Sequence, residues 1–311
     1  MTRDRGKILV IRGGALGDFI LTLPVFAALR ANFPDTCLEV LGYPHIAGLA
    51  LAGGLVDEVL SIEARALAGF FAKGGTLDGA LGERFAGASI ILSYLYDPDL
   101  IFRENVARVS KAQFIAGPHR PDETGKLHAT EFFLQPLERL AIFEADRVPR
   151  LSLPEPEDPK LRSGRWLAVH PGSGSERKNW PEEKWRELLQ HLRRGTGVNF
   201  LLIGGEAEEG RHTRLATQLP ADRCQLADCL PLPELAQWLK ECAAYLGHDS
   251  GISHLAAAVG VRSLLLWGET AAEVWRPRGE QVTLLHSPGG LGSAPVDAVF
   301  AAVKAMLRAS E

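Results

Sequence analysis

The stretch Lys7-Ile8-Leu9-Val10-Ile11-Arg12-Gly13-Gly14-Ala15-Leu16-Gly17-Asp18 decides the fold, because it drives a short apolar strand into a glycine turn and then into a helix running towards Phe33. A compact apolar run of this kind, bounded by glycines, reads as a strand covered on both faces, as in parallel sheets. Outward from it, strands are predicted from Cys37 to Tyr43, Val56 to Ile62, Ala88 to Ser93 and Gln113 to Ala116, with a closing helix from about Ala129 to Phe143. A second series follows: strand Trp166 to His170, helix Pro181 to Arg194, strand Asn199 to Ile203 and helix Glu206 to Leu219. It continues with helix Leu232 to Leu239, strand Ala244 to His248, helix Gly251 to Val259, strands Ser263 to Trp267 and Val282 to His286, and a final helix near Pro295 to Arg308.

Alternating strands and helices predict an α/β protein with parallel sheets. Between the two series, Pro149, Pro154, Pro156 and Pro159 leave little scope for a helix or a central strand. The expected organisation is therefore two Rossmann-like domains, 1–153 and 154–311, facing across a cleft, with the final helix a candidate to pack back on the first. Ligands of such sheets sit beyond the carboxyl ends of the strands, where helix N-termini offer N–H groups to anions.

A length of 311 residues suits two domains, and 34 Lys plus Arg against 38 Asp plus Glu give a net charge of −4, so no basic surface for nucleic acid is implied. No apolar run approaches the roughly 18 residues of a membrane span, and the start leads into a strand rather than a signal segment. A cytoplasmic protein is expected. Cys37, Cys224, Cys229 and Cys242 lack zinc or redox spacing and read as reduced and structural. The glycine-rich stretch Gly69 to Arg84 reads as an irregular connection or a mobile flap over an acceptor.

Four places can carry chemistry. Asp18 either caps its helix or offers a carboxylate; the glycine spacing of its turn is not the dinucleotide fingerprint. The loop His170-Pro171-Gly172-Ser173-Gly174-Ser175-Glu176-Arg177-Lys178-Asn179-Trp180-Pro181 brings small hydroxyls and the Lys178 ammonium to a helix start, where a phosphate can be held, with Trp180 and Trp185 as structural anchors. Glu206, after Gly204-Gly205, stands where an acid accepts hydrogen bonds from ribose. Gly247-His248-Asp249-Ser250-Gly251-Ile252-Ser253-His254 turns from strand to helix, an anion seat in which Asp249 takes sugar hydroxyls and His254 is either a packed residue or points to the same seat.

Taken in order, the Gly17-Asp18 turn with Leu21-Thr22-Leu23-Pro24, Lys178-Asn179-Trp180-Pro181, Gly204-Gly205-Glu206, Asp249-Ser250-Gly251 with His254, and Gly268-Glu269-Thr270 resemble the ADP-heptose:lipopolysaccharide heptosyltransferases of glycosyltransferase family 9. The resemblance implies a metal-independent GT-B enzyme without a cofactor, its acceptor on the first domain and its nucleotide sugar, ADP-heptose, on the second. It makes Asp18 the general base, Lys178 and Ser173 diphosphate contacts, Glu206 the ribose acid and Leu230 the adenine packing residue. Asp249, Ser250, Gly251 and His254 become the donor-sugar and pyrophosphate turn, and Arg12 and Arg120 acceptor contacts. Ile115-Ala116-Gly117 stands where many relatives have Arg-Ile-Gly, leaving Arg120 as the nearby cation.

A lipopolysaccharide-core or related glycan acceptor would imply peripheral contact with the inner face of the cytoplasmic membrane. Rival readings are another GT-B enzyme using a different nucleotide sugar (an epimerase included), a non-catalytic nucleotide-sugar-binding module, and a metal-dependent transferase using Asp97-Pro98-Asp99, a triplet that reads more readily as a turn or helix cap.

Overall fold

The computed structural model describes residues 6–154, 161, 163–205, 210–287 and 289–308 and divides into two compact units, Met1–Arg147 and Val148–Glu311. The division falls at the front of the proline-rich stretch.

In the first unit, β1 (Lys7–Arg12), α1 (Leu16–Asn32), β2 (Cys37–Gly42), α2 (Pro44–Ala52), β3 (Glu58–Ser61), α3 (Gly79–Ala86), β4 (Ile90–Ser93), α4 (Ile101–Ala107), β5 (Gln113–Ala116) and α5 (Ala129–Leu134) follow one another. The five strands make a parallel sheet in the order β3-β2-β1-β4-β5. The chain builds outward from β1 on one side, then returns to its other side with β4, so the loops leaving β1 and β4 diverge and open a crevice at their carboxyl ends. Both faces of β1 are covered: Leu9 and Ile11 join a cluster with Phe70, Phe85 and Phe102, and α1 is buried from Phe19 to Phe26.

The helix expected to run to Phe143 ends earlier. After Leu134 the chain tightens into a 3-10 turn, Gln135–Leu140, because Pro136 has no N–H to continue the α-helical ladder. The stretch Gly69 to Arg84 is an irregular connection over residues 72–78, held between two short helices. A 3-10 helix covers Arg65–Phe71, Asp78 caps α3 by accepting from the Leu81 N–H, and Asn105 Nδ2 binds the carbonyls of Phe70 and Ala72 at 3.0 and 2.8 Å. Two of its glycines serve close approach: a Cβ on Gly69 would lie 1.9 Å from the Thr76 carbonyl oxygen, and one on Gly75 2.2 Å from the Gly69 carbonyl oxygen. Asp97 is a helix cap, its carboxylate accepting from the N–H groups of Phe102 and Arg103.

The second unit contains β6 (Trp166–Val169), α6 (Glu182–Gly195), β7 (Asn199–Gly204), α7 (Arg211–Ala216), β8 (Cys224–Asp228), α8 (Leu232–Lys240), β9 (Ala244–His248), α9 (Gly251–Ala258), β10 (Ser263–Trp267), α10 (Ala272–Trp275), β11 (Val282–His286) and α11 (Val296–Arg308). Its parallel sheet runs β11-β10-β9-β6-β7-β8, which puts the reversal of strand order between β6 and β9. The helix α11, expected as a candidate to return to the first domain, buries Val296, Val299, Val303 and Leu307 within this unit, in one core with Leu188, Leu192 and Leu266. Among the described residues no helix is long and apolar enough to cross a membrane.

Candidate functional site

The reversal point between β6 and β9 is where an open parallel sheet admits a ligand, and the loops leaving these two strands are cross-linked there. His248 ends β9 fully buried. Its Nε2 accepts the Trp180 N–H at 2.9 Å and its Nδ1–H donates to the Gly172 carbonyl at 3.3 Å, so the ring spans the loop that follows β6. The two tryptophans anchor the other side of the loop, Trp180 and Trp185 meeting edge to face at 5.2 Å. Arg211 of α7 closes the loop's flank through the Pro171 carbonyl at 3.2 Å and Glu176 at 2.6 Å.

So fixed, the loop carries Lys178 to Asp249, Nζ to Oδ2 2.5 Å, across 71 residues of sequence. Lys178 is 41% exposed and Asp249 12%, so the ammonium faces solvent at the mouth of the site. Ser250 is the N-cap of α9: its hydroxyl accepts from the Ser253 N–H at 3.3 Å and lies 3.3 Å from His170 Nδ1. Gly251 opens α9, whose N-terminal dipole and first amides therefore face the same edge as Lys178, a combination suited to an anion. His254 is buried in the first turn of α9. Ser173 is buried too, and its hydroxyl lies 2.8 Å from both the Ser175 carbonyl and Asn179 Oδ1. These contacts hold the loop in shape.

Leu230 lies at the same edge in the turn between β8 and α8, two strands across from β6. Beside it Asp228, which ends β8, meets the buried His212 at 3.1 Å. Glu206, the expected ribose acid, lies outside the described residues.

Burial lowers His248 from 6.5 to about 3; the nearby His170 and Arg211 push the same way, against the stabilising contact with Gly172. The imidazole is neutral at pH 7, as its accepting bond from Trp180 requires. An unfolded chain takes up a proton at this histidine near its ordinary value, while the folded one resists until much lower pH. The contribution to stability is therefore complete above about pH 6.5 and is lost as pH falls towards about 3, with a slope of at most about 1.4 kcal/mol per pH unit. Thermal melts across this range should show the slope, and His248→Gln, which has no titrating ring, should lessen it, leaving the part due to the lowered carboxyls of Glu58, Glu176 and Glu182.

In the first unit the corresponding reversal lies between β1 and β4. Gly14 turns the chain there with φ +96°, a region that favours glycine, and a Cβ on it would lie 3.2 Å from Asp18 Oδ2. Asp18 sits one turn into α1, 31% exposed, with Oδ2 accepting the Ala15 N–H at 3.3 Å. This is the carboxylate half of a capping box, and it leaves Oδ1 3.9 Å from Arg12 Nη2.

Arg12 is 2% exposed. Its guanidinium lies 4.4 Å from the centre of the Phe133 ring and donates to the carbonyls of His119 at 3.1 Å and Asp18 at 3.2 Å. Its burial gives it the place of a brace behind Asp18. Arg120 lies on the surface, paired with Glu123 at 2.8 Å.

The structure thus joins Lys178, Asp249, Ser250 and Gly251 at one edge and Arg12 with Asp18 at another. Sequence reading missed His248, His170 and Arg211. The signal for His248 was its place at the end of a buried strand, directly before the Asp249 turn.

Comparison with known proteins finds that the model of glycosyltransferase family 9 (heptosyltransferase) matches residues 144–293. The chain is 24% identical over 297 residues to lipopolysaccharide heptosyltransferase 3 of Escherichia coli, covering 86% of this chain and 83% of the relative. It is 39% identical over 94 residues to lipopolysaccharide heptosyltransferase 1 of Pseudomonas aeruginosa, which is 30% of this chain and 26% of that one. Its fold is similar to that of the Escherichia coli heptosyltransferase WaaC solved with ADP, with a TM-score of 0.75, 19% identity, and coverage of 96% of this chain and 99% of that one.

Proposed function

The chain belongs to glycosyltransferase family 9 and has the GT-B fold, and from that premise we propose that it is an inverting, metal-independent transferase that moves a heptose from ADP-heptose to a lipopolysaccharide-core or related glycan. The observation that carries this reading is the meeting of Lys178, Asp249 and the N-terminus of α9 at the β6/β9 reversal. A diphosphate needs a cation and oriented amides; a sugar needs a carboxylate acceptor for its hydroxyls. This one edge supplies all three.

In the proposed reaction an acceptor hydroxyl oxygen attacks the anomeric carbon, and its proton passes to the Asp18 carboxylate. The bond from that carbon to the β-phosphate oxygen breaks, its electron pair leaving with ADP. Attack on the face opposite the leaving group inverts the centre. Positive charge gathers on the sugar and negative charge on the departing diphosphate, and Lys178 with the α9 terminus stabilises the latter. Arg12 fixes the helix start on which Asp18 stands. Leu230, with Glu206, takes the adenosine end.

A thermal-shift panel tests the donor. ADP is expected to raise the melting temperature more than UDP or GDP at equal concentration, because a ligand bound only by the folded state stabilises it by RT ln(1 + c/Kd) at free ligand concentration c, which grows as the dissociation constant falls. Equal shifts for all three, or a larger one for UDP, would remove ADP-heptose as the donor.

A further inference from the structure

The crevice of the first unit has a second wall that the reaction above does not use. The chain leaving β4 buries Tyr94, whose hydroxyl donates to the Phe133 carbonyl at 2.6 Å, and two residues later exposes Tyr96. Tyr96 is 70% exposed. Its ring lies 4.6 Å from that of His119, centre to centre and tilted by 55°, and His119 is itself exposed in the loop that follows β5.

This pair is not loose surface. The His119 carbonyl is held by Arg12 Nη1, and Nη2 of the same guanidinium holds the Asp18 carbonyl. Buried against Phe133, the guanidinium has no room to swing, so one rigid group fixes both the Tyr96–His119 pair and the base. Asp18 follows β1 and Tyr96 follows β4, the two strands whose loops diverge at the reversal.

We propose that Tyr96, packed at a tilt against His119, is the platform on which a pyranose ring of the acceptor glycan lies, presenting its hydroxyl to Asp18. A sugar ring has an apolar C–H face and a polar rim. Tyrosine and histidine together offer an apolar ring face with polar atoms at its edge. The local charges suit a neutral ring: Arg120 is paired with Glu123, and the Asp97 carboxylate is engaged by the α4 amides.

The inference rests on the proposed transferase reading, and the test separates the two. With deacylated lipopolysaccharide core oligosaccharide as acceptor, Tyr96→Ala is expected to raise the acceptor KM about tenfold, the size of one lost aromatic contact. It should leave kcat, the donor KM and the ADP thermal shift unchanged. Tyr96→Trp should keep the acceptor KM near its original value. An unchanged acceptor KM in Tyr96→Ala, or a loss confined to kcat, overturns the platform.

Should the unaltered protein transfer nothing to this oligosaccharide, the reaction reading fails while the platform is still read directly. Saturation-transfer NMR should then show ring C–H protons of the oligosaccharide contacting the protein, with the signal lost in Tyr96→Ala. No such signal in the unaltered protein, or one that survives the substitution, overturns the platform independently.

Discussion

Asp18→Asn is expected to slow transfer by about a hundredfold or more, the usual cost of removing a general base, while the thermal shift given by ADP stays as it was. The amide is the sharper choice than alanine because it separates chemistry from folding. Its carbonyl oxygen can still accept the Ala15 N–H that Oδ2 takes at 3.3 Å, so the start of α1 is kept, but it cannot take a proton from an attacking hydroxyl. Asp18→Ala loses both, and the missing capping contact adds a stability cost of about 1 kcal/mol. If the two variants lose activity equally while only the alanine melts lower, the carboxylate is acting on the reaction. If Asp18→Asn transfers near the original rate, Asp18 is a helix-capping residue and the base lies elsewhere.

Legibility in the sequence divided along physical lines. The buried strands were plain: Ala244–His248 and Ser263–Trp267 lie where the apolar runs put them, since a strand covered by helices admits few polar residues. The edge strand Cys224–Asp228 carries no clear signal, because it mixes polar and apolar residues without a regular period, and only Ala227 is buried. The helices Pro44–Ala52 and Gly79–Ala86 each contain glycine, which weakens helix propensity, and tertiary packing carries them.

In the site, residue types and loop positions could be read, but partners could not. Nothing in local sequence pairs Lys178 with Asp249 at a separation of 71 residues. Nor does it show that the cation six residues before Asp18 is walled in by Phe133 and Tyr94. Those are consequences of which strands become neighbours, and a strand order with its reversal at β6/β9 is a property of the whole sheet.

Lys178→Met is expected to lower kcat by on the order of a hundredfold to a thousandfold, the range for losing one group that stabilises charge developing in a transition state. Donor affinity should fall as well, for a reason visible in the geometry. Without donor, the ammonium neutralises Asp249 at 2.5 Å; without the ammonium, that carboxylate faces the incoming diphosphate unscreened. The loss on Lys178→Met therefore has two parts, an attraction removed and a repulsion exposed, and a second substitution tells them apart. Asp249→Asn placed on Lys178→Met should restore much of the ADP thermal shift but little of kcat, since the amide removes the repulsion and supplies no cation for the leaving group.

Asp249→Asn alone should bind ADP well, yet transfer poorly if its carboxylate orients the sugar. Residues in one ion pair are strongly non-additive, so the double variant should bind ADP better than the sum of the single effects implies. Strict additivity, measured by the same melts with and without ADP, would show that Lys178 and Asp249 act on separate ligands and that the diphosphate is held elsewhere on the sheet.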